Sequence, residues 1–143
     1  MVDFHRQFHC EVITPEGPVF AGEAVSAIFP APDGLVGVLG GRGPLATLLS
    51  GGPLTVRQAE GSENEYYVAG GFARFHENTL VLLAEECVPI EAIDAEAAWQ
   101  QIQRAQAMPR ETDEQIALRD QALDAARAKF KLAQKHRKRT GQV

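Results

Sequence analysis

Lysine is missing from the first 128 residues of this 143-residue chain. That absence excludes a phosphate loop, which needs a Lys followed by Ser or Thr to reach the outer phosphates and the magnesium. The glycine-rich stretch Asp33–Gly52, DGLVGVLGGRGPLATLLSGG, offers Arg42 followed by Gly43 and Pro44 instead. No apolar run approaches the roughly 20 residues that span a bilayer. The opening MVDFHRQFHC is too polar for the apolar region of a signal peptide. The expectation is a cytosolic chain, or one peripheral to a membrane through a partner. Cysteine is scarce. Cys10 and Cys87 stand in apolar, strand-like surroundings without a second ligand at metal spacing, and read as buried thiols.

Catalytic groupings are missing too. The histidines are His5, His9, His76 and His136, none of them near a glycine-flanked Ser or a thiol in a loop. His5 and His9 are the one His-x-x-x-His pair, and a strand would hold them about 13 Å apart at about 3.3 Å per residue. Glu85 and Glu86 are adjacent at a strand end, so their carboxylates point to opposite faces and are poor partners in acid–base work. The reading is against an enzyme and against a resident metal or cofactor.

What the chain does have is charge asymmetry. Residues 1–128 hold all 19 acids against eight arginines, a balance of −11. Residues 129–143 carry +6, from Lys129, Lys131, Lys135, Arg137, Lys138 and Arg139. A basic end can seek nucleic acid, anionic lipid or an acidic protein surface, or be a solvated helix end whose cations favour the negative pole of the dipole. Nucleic acid is disfavoured. The rest of the chain is acidic, its aromatics fall mostly at core-like spacing, and the tail's one aromatic is Phe130.

Two kinds of patterning divide the chain near residue 90. Residues 1–90 read as short strands. Phe8, Cys10 and Val12 alternate with polar neighbours, and Thr14-Pro15-Glu16-Gly17 makes a turn. Ala27 and Phe29 lie on a strand that Pro30-Ala31-Pro32 stops. Leu54 and Val56 oppose Thr55 and Arg57. Tyr66–Ala69 leads through Gly70-Gly71, a bulge or close backbone approach, into Phe72–Phe75, and His76-Glu77-Asn78 turns the chain into Thr79–Ala84. This spacing predicts a sandwich or barrel of antiparallel strands. Residues 91–143 contain no glycine before Gly141. Asp94 is placed to cap a helix ending near Ala107, before Pro109. Thr112 and Gln115 form a capping box for a second helix to about Lys138. Ile116, Leu123 and Phe130, with Ala126 and Ala133, give that helix a narrow apolar stripe. Together the helices read as a hairpin of marginal docking. The glycines set among Leu35, Val36, Val38, Leu39 and Leu45 suggest tight turns and close approach of another surface, so a docking surface more than a reaction site.

These residues resemble one family. Gly34-x-x-Gly37-Val38-Leu39-x-Gly41-x-x-Pro44-Leu45-x-Thr47-x-Leu49-x-x-Gly52 is similar, without a gap, to the signature loop of the epsilon subunit of F-type ATP synthase, usually G-x-x-G-I/V-L/Y-P-G-H-A-P-L-x-T. A second block, Tyr67-Val68-Ala69-Gly70-Gly71-Phe72 followed by Asn78-x-Leu80-x-Leu82-x-Ala84-Glu85, resembles the family's Y-x-x-G-G hairpin. Val12–Glu16 and Phe20-x-Gly22 fit its first hairpin. The resemblance implies a ten-stranded antiparallel β-sandwich followed by an α-helical hairpin. It implies a non-catalytic subunit that grips the gamma subunit on one side and rests on the c-ring on the other, coupling proton or sodium flow to ATP synthesis elsewhere. It also implies a peripheral place in the F1 sector, at the cytoplasmic face of the bacterial inner membrane. Partner contacts carried over are Gly34, Leu35, Val36, Gly37, Gly41, Arg42, Pro44, Gly70 and Gly71. The basic tail would meet an acidic segment of the beta subunit in the alpha/beta head and inhibit hydrolysis. The alternative is a free-standing sandwich that binds a peptide or ligand. Two separate apolar patches would favour the stalk subunit, and one deep pocket the ligand module.

Departures from the family pattern matter. Gly40, Arg42 and Gly43 stand where Pro, His and Ala are usual, and Arg42 brings a permanent cation with five donors. Leu35 makes the loop tip apolar where family members often carry a polar or acidic residue. ATP-binding members resemble I/L-D-x-x-R-A at Ile93–Ala98. Asp94 is present, but Ala97 replaces the arginine suited to a phosphate. The second helix also lacks an Arg pair at helical spacing, since Leu123 follows Arg119 by four. Tight ATP binding is therefore not expected.

Overall fold

The computed structural model describes residues 6–141, and the chain divides into two compact units between Val88 and Pro89. The first is all β. Its strands are β1 (Phe8–Thr14), β2 (Gly17–Ala24), β3 (Ser26–Ala31), β4 (Gly34–Leu39), β5 (Leu45–Leu48), β6 (Gly52–Arg57), β7 (Glu63–His76) and β8 (Thr79–Pro89).

Three tight connections follow from local chemistry. Pro15-Glu16 joins β1 to β2, with the Thr14 hydroxyl donating to the Gly17 carbonyl at 3.1 Å. Pro32-Asp33 joins β3 to β4 and hands over to Gly34 at φ 126°. Glu77 and Asn78, at φ 49° and 58°, form the two-residue left-handed turn that suits strand twist between β7 and β8. The strands run in the order β2-β1-β8-β7-β6-β3-β4, with β5 also on β7.

Alternate residues of these strands meet in one core. Phe8, Cys10 and Val12 of β1 join Phe29 of β3, Leu54 and Val56 of β6, Phe75 of β7 and Leu80 and Leu82 of β8, all essentially inaccessible. Phe8 and Phe75 meet edge to face with ring centres 5.6 Å apart. Each large apolar side chain buried here contributes about 1.5–3 kcal/mol.

The expected ten antiparallel strands are corrected to eight among the described residues, and not all are antiparallel, since β1 and β8 pair in parallel. One of the two missing strands is accounted for by β7, which does the work of two. Residues 63–68 pair with β6, whereas residues 72–75 pair with β5. Gly70 and Gly71, at φ 71° and 102°, lie between these halves. A Cβ at Gly71 would sit 1.7 Å from the Leu83 carbonyl oxygen, so only glycine allows this crossing of backbones. The chain also passes through Pro30 before β3 stops at Ala31.

The second unit holds a single 3-10 turn (Ile90–Ala92) and two helices, α1 (Ala95–Gln106) and α2 (Asp113–Arg139). Both predicted caps form. The Asp94 carboxylate accepts from the Glu96 and Ala97 amides at 2.9 and 3.3 Å. Thr112 and Gln115 satisfy each other's backbone amides. Each cap stabilises its helix by about 1 kcal/mol. Ile102 and Ala105 of α1 pack against Leu123 and Ala126 of α2, flanked by Met108 and Phe130. Ile116, expected in the stripe, is 41% exposed. At 12 residues against 27, α1 is too short to cover all of α2. No helix among the described residues is long and apolar enough to cross a membrane.

Candidate docking surfaces

The glycine-rich segment forms β4, a tip at residues 40–44, and β5. Gly34, Leu35, Gly37, Gly41, Arg42 and Pro44 are exposed and Val36 is half-buried. The tip is a turn in which the Arg42 amide donates to the Leu39 carbonyl at 3.3 Å. Among the described residues the Arg42 guanidinium reaches only its neighbour's carbonyl, at Gly43, with a long 3.4 Å contact. Gly40 is different. It is buried, and a Cβ there would meet the Arg6 carbonyl oxygen at 2.2 Å. So part of this segment is shaped by the chain's own packing, and Arg42 with Leu35 is what it offers outward. Gly70 and Gly71 are half-buried inside β7, where they serve the bend.

Two exposed apolar patches stand on the outer side of the sandwich. Leu48 and Phe72 pair across β5 and β7, at 53% and 59% exposure, and Leu83 of β8 is 50% exposed. Phe72 and Leu83, with Val81, Thr79, His76, Arg74 and Glu77, line an open depression of about 370 Å³. The second patch is Ile28 of β3, opposite Gly37 of β4, with Leu35 close by at 62% exposure. Both patches carry the residue parity that points away from the common core. They occupy different pairings of the sandwich, β5–β7–β8 and β3–β4. Sequence reasoning missed Phe72 by counting it at core-like spacing. The available signal was parity: Phe72 shares a face with Arg74 and His76, while Ala73 and Phe75 are the buried pair.

Titratable groups on the sandwich are structural. His9 lies between two carboxylates, its Nε2 3.0 Å from Glu11 and its Nδ1 3.4 Å from Glu23. The hydrogen bond to Glu11 raises its pKa above 6.5; slight desolvation opposes this and Glu23 adds to it. Burial pushes the Cys10 thiol up to about 12, with a smaller push from Glu11. Cys87 is half-buried, against the fully buried thiol expected, and burial pushes it to about 11. Neither thiol is a nucleophile at neutral pH. His5 lies outside the described residues. Among the described residues no group of three His, Cys, Asp or Glu is placed to hold a metal.

At the open end of the helical unit, Glu91, Ile93, Asp94, Ala95 and Glu96 face Ala133, His136 and Arg137 around a cavity of about 480 Å³. Its near wall is acidic, and the Glu96 and Ala97 amides at the start of α1 already bond the Asp94 carboxylate. Of the basic tail residues, Lys131, Lys135, Arg137, Lys138 and Arg139 are exposed and Lys129 is half-buried.

Comparison with known proteins agrees with this architecture. Residues 7–90 match the model of the family described as ATP synthase, Delta/Epsilon chain, beta-sandwich domain. The ATP synthase epsilon chain of Moorella thermoacetica is 38% identical over 122 residues, covering 85% of this chain and 86% of that one. The epsilon chain of Rhodopirellula baltica is 33% identical over 122 residues, covering 85% and 94%. A chain in the cryo-EM structure of the Euglena gracilis mitochondrial ATP synthase OSCP/F1/c-ring superposes with a TM-score of 0.78 at 22% identity, covering 85% of this chain and 78% of that chain. A chain from the Tetrahymena thermophila central stalk/c-ring structure gives 0.72 at 13%, covering 90% and 97%. These two likenesses show the fold. With its sandwich matched throughout and the 122-residue alignments reaching into its helices, the chain belongs to the ATP synthase epsilon chain family.

Proposed function

We propose that this chain acts as the non-catalytic epsilon subunit of an ATP synthase central stalk. On this reading the gamma subunit and the c-ring hold its sandwich, and rotation of the ring passes through it to catalytic sites on other subunits. It sits peripherally in the F1 sector, at the cytoplasmic face of a bacterial inner membrane, and meets the membrane only through partners. The observation that carries the proposal is the pair of separate exposed apolar patches, Leu48–Phe72–Leu83 and Ile28–Leu35. A protein gripped by two partners needs two such surfaces, whereas a ligand module needs one enclosing pocket. The depression beside Phe72 is open, which disfavours the free-standing peptide- or ligand-binding alternative.

The decisive measurement is assembly. Phe72→Asp and Ile28→Asp place a charge on each patch without touching the core. Each variant is expected to lose co-purification with the complex while keeping the native melting temperature. Intact assembly in both variants would end the docking reading.

The helices are assigned a regulatory role. The basic end of α2, Lys129 to Arg139, is proposed to latch onto an acid cluster of the beta subunit in the alpha/beta head. Deleting residues 112–143 is then expected to raise hydrolysis by the assembled complex, and inhibition by the full chain should weaken with added salt. Unchanged hydrolysis would leave the tail as a solvated helix end. The acidic wall around Asp94, and Ala97 in place of an arginine, support weak nucleotide affinity. Calorimetric titration of the chain with ATP is expected to show no micromolar site.

A further inference from the structure

We propose that Asn78 is a positioning residue for the Arg42 tip, joining it to the body of the sandwich. The proposal rests on the reading that this tip docks a partner. Three segments distant in sequence meet at Asn78. Its side-chain carbonyl accepts from the Gly41 amide at 3.2 Å. Its side-chain amide donates to the Gln7 carbonyl at 2.8 Å. Its backbone carbonyl accepts from the His9 amide at 3.1 Å. One orientation of the amide satisfies both side-chain bonds, and a flip would set donor against donor and acceptor against acceptor. Both ends of the link are fixed. Asn78 sits in the left-handed turn between β7 and β8, a conformation Asn tolerates better than most residues. Gly41 is itself at φ 84°, and its neighbour Gly40 lies against the Arg6 backbone with no room for a side chain.

Arg42 follows directly. It follows the clamped Gly40-Gly41 pair, and its exposed guanidinium makes, among the described residues, only a long bond to Gly43. A cation carried on an anchored turn, with its donors nearly unused among the described residues, is suited to a carboxylate-bearing partner surface. Without the Asn78 link, the tip would stay covalently present but no longer aimed. The ordering entropy would then be lost at the moment of docking rather than during folding.

The test adds the full chain back to ATP synthase stripped of this subunit and measures affinity for Asn78→Gly, Arg42→Ala and the double variant. Glycine keeps the left-handed turn while deleting both side-chain bonds. Asn78→Gly is expected to bind about tenfold more weakly, with faster exchange of the Gly41 amide hydrogen and a melting temperature near the native one. The double variant is expected to bind no more weakly than Arg42→Ala alone, a coupling that a merely structural role would not produce. Full addition of the two losses, or native affinity in Asn78→Gly alongside weakened Arg42→Ala, would overturn the positioning role while leaving the docking reading standing. Native affinity in Arg42→Ala would overturn both. If Asn78→Gly does not fold, Asn78→Asp serves instead: it keeps the acceptor for Gly41, loses the donor to Gln7, and is held to the same coupling criterion.

Discussion

The sandwich buries Phe8, Phe29, Phe75, Tyr67, Leu54, Leu80 and Leu82 almost completely, whereas the helical unit buries four alanines and only three larger residues, Ile90, Ile102 and Leu123. The difference lies in how each unit is held together. Sheet pairing in the first unit joins segments far apart in sequence, such as β1 with β8 and β3 with β6, so no interior strand leaves without disturbing its neighbours on both sides. In the second unit, two locally capped helices meet along a thin seam of Ile102, Ala105, Leu123 and Ala126. A scaffold that transmits force benefits from the first construction. A segment that changes partners benefits from the second, since low local stability makes opening accessible.

Unequal core loss would sharpen this comparison most. Phe75→Ala is expected to destabilise the sandwich by about 3–5 kcal/mol, and Leu123→Ala the helical unit by about 2–3 kcal/mol. The protein's single tryptophan, Trp99, stacks on Phe130 at 5.5 Å and so reports the helical unit alone. Amide hydrogen exchange at buried strand residues such as Phe8 and Leu80, followed across the denaturant series, reports the sandwich. Denaturant curves from the two probes should separate in Leu123→Ala. Coincident curves in both variants would mean that the two units unfold as one, and the contrast would fall.

Next comes Gly71→Ala, which sets a Cβ against the Leu83 carbonyl at a φ unfavourable for any other residue. A loss of about 3 kcal/mol is expected, confined to the sandwich transition. A native midpoint would show that β7 need not bend there.

The smallest effect is electrostatic. Because the folded state raises the His9 pKa, protonated His9 stabilises the sandwich fully below about pH 6.5, its unfolded value. That contribution fades as pH rises through the higher folded value. The His9 side chain is 40% exposed, so the effect should be only a few tenths of a kcal/mol. His9→Gln should flatten the dependence of the sandwich midpoint across that window and leave the Trp99 transition unchanged.

Much of this was legible in the chain itself. Period-two alternation marked β1, β3 and β6, because a half-buried strand must send successive side chains to opposite environments. Asp94 and Thr112 marked the helix starts, because orphan amides need an acceptor within two or three residues. Gly70-Gly71 was readable as a close approach but not as the bend that turns two expected strands into one. That depended on where the Leu83 carbonyl lay. Ile116 looked like part of the stripe until the length of α1 settled how much of α2 could be covered.

The docking surfaces divide the same way. Leu35 and Arg42 stood out early, because a turn rich in glycine leaves its few side chains exposed. Phe72, Leu83 and Ile28 did not, because an apolar residue in a strand faces core or solvent according to register alone. By itself the sequence determined what is local: turns, caps, periodicity and the separation of acid from base along the chain. Tertiary structure alone decided which apolar side chains remained outside and which distant segments met at Asn78, since both depend on strand pairings between residues dozens of positions apart.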